Sequence, residues 1–193
     1  MRVLIACEFS GRVREAFAKL GHEAWSCDLL PSEIPSKYHL QGDVFDWLHP
    51  TSRLWDLMIA HPPCTRLANS GVSWLSRRNL WKEMEDASNF FRLLLEAPIN
   101  KIAVENPIPH HYALDIIGRK YDQIIQPWMF GHGETKATCL WLKNLPKLVP
   151  TNIVDGREPK NFFTPNNSDR PKERSRTYQG IADAMAQQWG NAA

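Results

Sequence analysis

No apolar run in this 193-residue chain approaches the roughly 18 residues that a membrane span requires. The run nearest the start, Arg2–Ala6, is cut off by Glu8, so a secretory leader is not expected either. Cysteine is sparse and scattered: Cys7, Cys27, Cys64 and Cys139 form no CxxC pair. That spacing argues against a zinc ribbon or a disulfide framework and for a reduced, cytoplasmic setting. Net charge is nearly absent, with 23 Lys and Arg against 21 Asp and Glu, or +2. A polybasic nucleic-acid binder is thereby excluded, and any such affinity must come from local patches. Internal repeats and low-complexity tracts are also missing. The length leaves no room for a large second domain beside a full catalytic one. Apolar residues are not lacking: at 43% the chain can bury an ordinary core.

Short apolar runs alternate with segments of helical period, the pattern of an α/β fold with a mostly parallel central sheet and helices on both faces. Strands are predicted at Arg2–Ala6, His22–Cys27, Leu57–Ala60, Lys101–Val104 and Ala137–Leu142. Helices are predicted at Arg12–Leu20, closed by Gly21, and at Asn79–Ala97, closed by Pro98. A last helix is predicted from Tyr178 to Trp189, and the polar stretch between Leu145 and Tyr178 reads as loop.

Open parallel sheets bind ligands beyond the carboxyl ends of their strands. The unusual polar residues fall at those ends: Phe9-Ser10-Gly11, Asp28, Pro62-Pro63-Cys64 and Glu105-Asn106-Pro107. A lone cysteine is more often a small core residue than a nucleophile. Cys64, however, follows two prolines at a strand mouth, with Arg66 nearby to favour the reactive thiolate. Glu105 directly follows KIAV, where burial would raise its pKa and make it a proton donor. The bland alternative for Glu105 is a carboxylate capping a turn. Asp28 follows Gly11 at close to the roughly 20-residue spacing of an acid that binds ribose hydroxyls. With one glycine, the Phe9–Gly11 turn is a poor phosphate loop and better suits a cofactor without phosphates.

In this order, Phe9-Ser10-Gly11, Asp28, Gly42-Asp43-Val44, Pro63-Cys64 and Glu105-Asn106 resemble the motifs of the DNA (cytosine-5) methyltransferases. The resemblance covers about Met1–Pro109, and more faintly the final helix from Tyr178. It implies a single Rossmann-like methyltransferase domain over residues 1–193, with 146–177 a loop-rich insertion in place of a target-recognition domain. It further implies Cys64 as nucleophile at cytosine C6 and Glu105 as donor at N3. S-adenosylmethionine would lie on Phe9, Ser10 and Gly11, with Asp28 on its ribose and Asp43 near its adenine. Pro63, Arg66, Asn106 and Lys136 would contact the base or the DNA. A mobile loop, Thr65–Trp74, would fill the space of the flipped base. Thr65 stands where the family usually has Gln, Pro107 where it has Val, and no Gln-x-Arg-x-Arg motif is present, Lys136 being the nearest substitute.

DNA, duplex or single-stranded, is the implied partner, and a second subunit or partner could supply target recognition; no membrane is involved. Two other functions fit the same residues. His61-Pro62-Pro63-Cys64 is similar to the Asp/Asn-Pro-Pro-aromatic motif of amino-group methyltransferases, although cysteine stacks poorly on a base. A non-catalytic binding module on the same fold is the third. His110-His111 is not expected to hold a metal, since adjacent histidines point apart and no spaced partner is visible. Trp74 could stack on a base, and the Arg170–Arg176 run, with four basic residues against one acidic, could grip phosphates.

Overall fold

The apolar runs become the centre of one seven-stranded sheet in the computed structural model, which describes residues 1–48, 54–159 and 170–191, with Arg170 and Pro171 by main chain alone. In chain order the elements are β1 (Arg2–Ala6), α1 (Arg12–Lys19), β2 (Glu23–Asp28), β3 (His39–Gln41), β4 (Leu57–Ala60), α2 (Ser73–Arg77), α3 (Trp81–Leu95), β5 (Lys101–Pro107), α4 (His111–Ile117), β6 (Gln123–Ile125), β7 (Thr138–Lys143), α5 (Arg170–Ser175) and α6 (Gln179–Trp189). The strand order is β3-β2-β1-β4-β5-β7-β6. Strands β1 to β5 pair in parallel, and β7 runs antiparallel to both β5 and β6. Fold class is as the sequence pattern implies: α/β, mostly parallel, helices on both faces.

Burial on both faces explains the unbroken apolar strands. Val3, Ile5, Leu57, Ile59 and Ala103 pack with α1 and α6; Leu4, Ala6, Met58, Ala60, Ile102 and Val104 pack with α3 and α4. Five elements were not legible as such. Strands β3 and β6 have three residues each, and α2, α4 and α5 have five, seven and six, too short for a periodic signal. In the stretch read as loop before Tyr178, residues 160–169 lie outside the described ones and Arg170–Ser175 is helical. Among the described residues, no helix is long and apolar enough to cross a membrane.

Two features of the fold shape the site. Gly11 caps α1 at φ 72°, and a Cβ there would meet the Arg14 guanidinium at 2.7 Å. Arg14 is buried, yet it donates to Ser26 Oγ (2.8 Å), Ser32 Oγ (3.1 Å) and the Ile34 carbonyl (2.9 Å). A buried charge so satisfied locks the loop after β2 onto α1; losing its partners would cost several kcal/mol, about 3–5. At the far end of the chain, a Cβ on Gly180 would overlap the Phe130 carbonyl oxygen, so α6 begins in direct backbone contact with Phe130, and the Gly180 amide donates to His132 Nε2 at 3.0 Å.

Candidate active site

Two clefts open at the carboxyl ends of the parallel strands and share Cys7. The larger is lined by Cys7, Cys27, Asp28, Leu29, Gly42, Asp43, Val44, Pro63 and Phe90. Asp28 is half-buried; burial pushes its carboxyl up, against hydrogen bonds from the Leu30 and Leu29 amides. Asp43 accepts from the Phe45 amide at 3.0 Å. Burial, together with the charges of Asp28 and Asp43, pushes Cys7 and Cys27 up to about 12, so both thiols act as small apolar wall. Carboxylates at the rim and apolar surface between Pro63 and Phe90 fit a nucleoside: hydroxyl and amine donors meet the acids, and the base meets the apolar walls.

The smaller cleft is lined by Cys7, Glu8, Phe9, Ser10, His61, Ser175 and Thr177. The expected cofactor residues therefore divide: Asp28 and Asp43 in the first cleft, Phe9 and Ser10 in the second, and Gly11 behind them at the α1 cap. Glu8, which in the sequence only interrupts the first apolar run, is buried. Its carboxylate accepts from Val13 N (2.7 Å), Arg14 N (3.3 Å) and Ser10 Oγ (3.2 Å), satisfying the free amides at the α1 N-terminus.

Cys64 sits just past β4 and Glu105 within β5. Strand β5 runs beyond the predicted Val104 end to Pro107, which brings Glu105 and Asn106 into the sheet against β7. Glu105 is not the neutral acid that burial alone implies. Desolvation raises its pKa, but His61 Nδ1 at 3.1 Å and the Lys136 ammonium outweigh it, and the carboxyl is held below its ordinary range. Cys64 departs from expectation in the opposite sense. Burial and the Glu105 charge push its thiol up, while Lys136 and Arg174 pull against them. Arg66 is not the residue that activates it, because its guanidinium pairs with Glu83 of α3 at 2.7 Å. Lys136 does reach the group: it acts on both Cys64 and Glu105, and its Nζ donates to the Arg174 carbonyl at 2.7 Å.

Alkylation should read the state of the thiol. Iodoacetamide is expected to modify Cys64 slowly at neutral pH, with the rate climbing only beyond the ordinary thiol range of about 8.5. Mass spectrometry locates the label; rapid neutral-pH labelling at Cys64 would contradict the arrangement.

Asn106 is buried with neither side-chain polar atom partnered, Nδ2 and Oδ1 alike. Strand alternation turns it to the same face as Val104, opposite Glu105. The segment after Cys64 is not a free loop. Leu67 and Ala68 amides donate back to the Cys64 carbonyl, Ala68 bridges Pro109, and Asn69 N donates to the Ile108 carbonyl. His110 completes the clamp: its Nδ1 accepts from Ala113 N, capping α4, and its Nε2 lies 2.9 Å from the Arg66 carbonyl. The sequence carried no signal for that clamp, because α4, the helix that His110 caps, is too short to show a period. Trp74 is exposed, with Arg78 and Arg77 over its ring at 4.5 and 5.6 Å.

No protein-family model matches the chain, and no curated protein matches it. Its structure is similar to that of an E. coli prophage protein assigned as a DNA modification methyltransferase, with a TM-score of 0.53 and 16% identity over 86% of this chain and 56% of that one. It is also similar to a methyltransferase of Entamoeba histolytica, EhMeth, with a TM-score of 0.45 and 14% identity over 86% of this chain and 60% of that one. The chain thus spans less than two thirds of the length of either. The first of these likenesses shows the fold, a methyltransferase-type α/β sheet.

Proposed function

We propose that the chain transfers a methyl group from S-adenosylmethionine to C5 of cytosine in DNA, through a covalent bond between Cys64 and C6 of the base. The observation that carries this reading is the convergence of Cys64, Glu105 and Lys136 at adjoining strand ends, beside a cleft suited to a nucleoside. Asp28, Asp43, Val44, Pro63 and Phe90 would hold the nucleoside part of the cofactor, with Phe9 and Ser10 toward its other end. When bound, S-adenosylmethionine supplies an electrophilic methyl group.

The protein's own groups do the rest. Cys64, as thiolate, bonds to C6; the C5=C6 pair moves to C4=C5, and N3 takes a proton from Glu105. That leaves C5 a carbon nucleophile. After transfer, water takes the C5 proton, the C5–H pair forms C5=C6, and the C6–S bond breaks to release Cys64. Lys136 favours the thiolate and balances the Glu105 charge as the base enters. Arg174 on α5, within the basic 170–176 run, lies close enough to act on Cys64, so DNA phosphates passing the site meet cationic side chains. Residues 146–177 would then stand where a recognition domain is absent, target reading falling to short segments or a second subunit.

The amino-group reading requires an aromatic side chain at position 64 to stack on the flipped base, and it has no task for Glu105. Labelled S-adenosylmethionine with unmodified duplex DNA, followed by nucleoside chromatography, decides between them. We expect 5-methylcytosine; N-methylated bases would favour the amino-group enzyme, and no transfer the binding module. Asp28→Asn should weaken cofactor binding by about 10- to 100-fold, the worth of one charged hydrogen bond. Because burial raises the Asp28 pKa, cofactor affinity in the native protein should fall on acidification sooner than an ordinary aspartate would allow. Calorimetry across pH measures both; unchanged affinity in Asp28→Asn would contradict the placement.

A further inference from the structure

We propose that His61 is the positioning residue for Glu105, and that the proton Glu105 delivers to N3 of the base comes from His61 Nδ1; the inference rests on the cytosine reading above.

Strand register makes the pair. Ala60 of β4 lies beside Val104 of β5, so the next residues along both chains, His61 and Glu105, meet at the carboxyl edge of the sheet. Alternation puts both on the face of Ile59 and Ala103, the face that α1 and α6 cover. The contact is His61 Nδ1 to Glu105 Oε2 at 3.1 Å, with the imidazole 7% exposed. The His61 main chain is pinned as well, its amide donating to the Ala6 carbonyl at 2.9 Å. The ring therefore has little freedom, and neither does the carboxylate it holds.

Nε2 of the same ring is buried and has no partner. His61 lines the smaller cleft, on whose wall Glu8 is fixed by its three donors. The imidazole thus lies between two carboxyl groups on the strands that flank β4, Glu8 after β1, pushed up by burial against the pull of His61, and Glu105 in β5. Lys136 and Cys64 face Glu105, Arg174 acts on Cys64, and Cys7 shares the cleft. A purely structural histidine in such a position would be expected to use both ring nitrogens.

The chemistry needs this group. An ionised Glu105 has no proton to give to N3, and burial alone would have supplied a neutral one. In the proposed relay a protonated His61 gives its Nδ1 proton to Glu105: the Nδ1–H bond breaks as O–H forms on the carboxylate. That O–H then breaks as N3–H forms, when sulfur bonds to C6. His61 ends neutral and Glu105 ionised, and elimination of Cys64 returns the proton along the same path.

Two measurements on the full chain test this. In the free protein, carbon-13 NMR of the glutamate carboxyls, assigned with Glu105→Gln, should show Glu105 titrating at higher pH in His61→Asn than in the native protein. An unmoved titration in folded His61→Asn overturns the proposal, whatever the enzyme does. In methyl transfer to duplex DNA, His61→Asn should lower kcat by about 10²- to 10³-fold, with KM for DNA little changed. Its pH optimum should move to acid, since Glu105 must then take its proton from solvent. A uniform loss with the native pH profile would mean a structural role only and would overturn the relay. His61→Gln provides the same two readings should the Asn variant fail to fold. If the native protein transfers no methyl group while the NMR shift is present, the cytosine reading fails and the pairing stands.

Discussion

Cys64→Ala is expected to abolish methyl transfer, by at least about 10⁴-fold, while leaving the fold intact. Removing a covalent nucleophile that acts with its partners as a unit costs nearly the whole chemical advantage, as other nucleophile deletions show. Little stability should go with it. Cys64 is only partly buried, it belongs to neither apolar cluster, and its loop is held by main-chain bonds and the His110 clamp. Cofactor binding should also survive, because Cys64 does not line the nucleoside cleft. Measured by label incorporation, thermal melting and cofactor calorimetry, the expected result is loss of the first alone. Residual transfer within tenfold of the native rate would show that C6 attack is not the route.

Glu105→Gln is expected to have the next largest effect. The amide keeps the shape and can still donate a hydrogen bond to N3, but it cannot supply a proton, so turnover should fall by about 10²- to 10⁴-fold. Glu105 lines neither cleft in which the cofactor is proposed to bind, and touches the smaller one only through His61. Cofactor affinity should therefore stay close to native. The same variant removes the negative charge that holds the Cys64 thiol up, leaving the pull of Lys136 and Arg174 less opposed. Alkylation of Cys64 should accordingly quicken at neutral pH even as catalysis fails. Slower alkylation, or a large loss of cofactor affinity, would contradict the place assigned to Glu105.

Much of the frame was open to reading in the amino acids. RVLIA, LMIA and KIAV are apolar throughout because both faces of each strand are covered, and each ends where the chemistry begins. The stripes of α3 and α6 lie on periods long enough to recognise. What could not be read depends on contacts across the sheet. Burial of Glu105 was inferable from KIAV; its ionised state was not, because it comes from His61 through a strand register that only tertiary pairing fixes. Arg66, two positions from Cys64 along the loop, was drawn away to Glu83, whereas Lys136, far off in sequence, arrived through the antiparallel β5–β7 pair. The clamp from His110 onto the Cys64 loop required α4, a helix of seven residues with no period of its own.

The most direct test of the central claim is covalent trapping. A duplex oligonucleotide containing 5-fluorocytosine, incubated with the protein and S-adenosylmethionine, cannot lose fluorine from C5 after methyl transfer, so Cys64 remains bonded to C6. The account predicts a protein–DNA adduct that survives a denaturing gel, depends on S-adenosylmethionine, and disappears in Cys64→Ala. Methyl transfer to DNA with no adduct, or an adduct retained in Cys64→Ala, would contradict it.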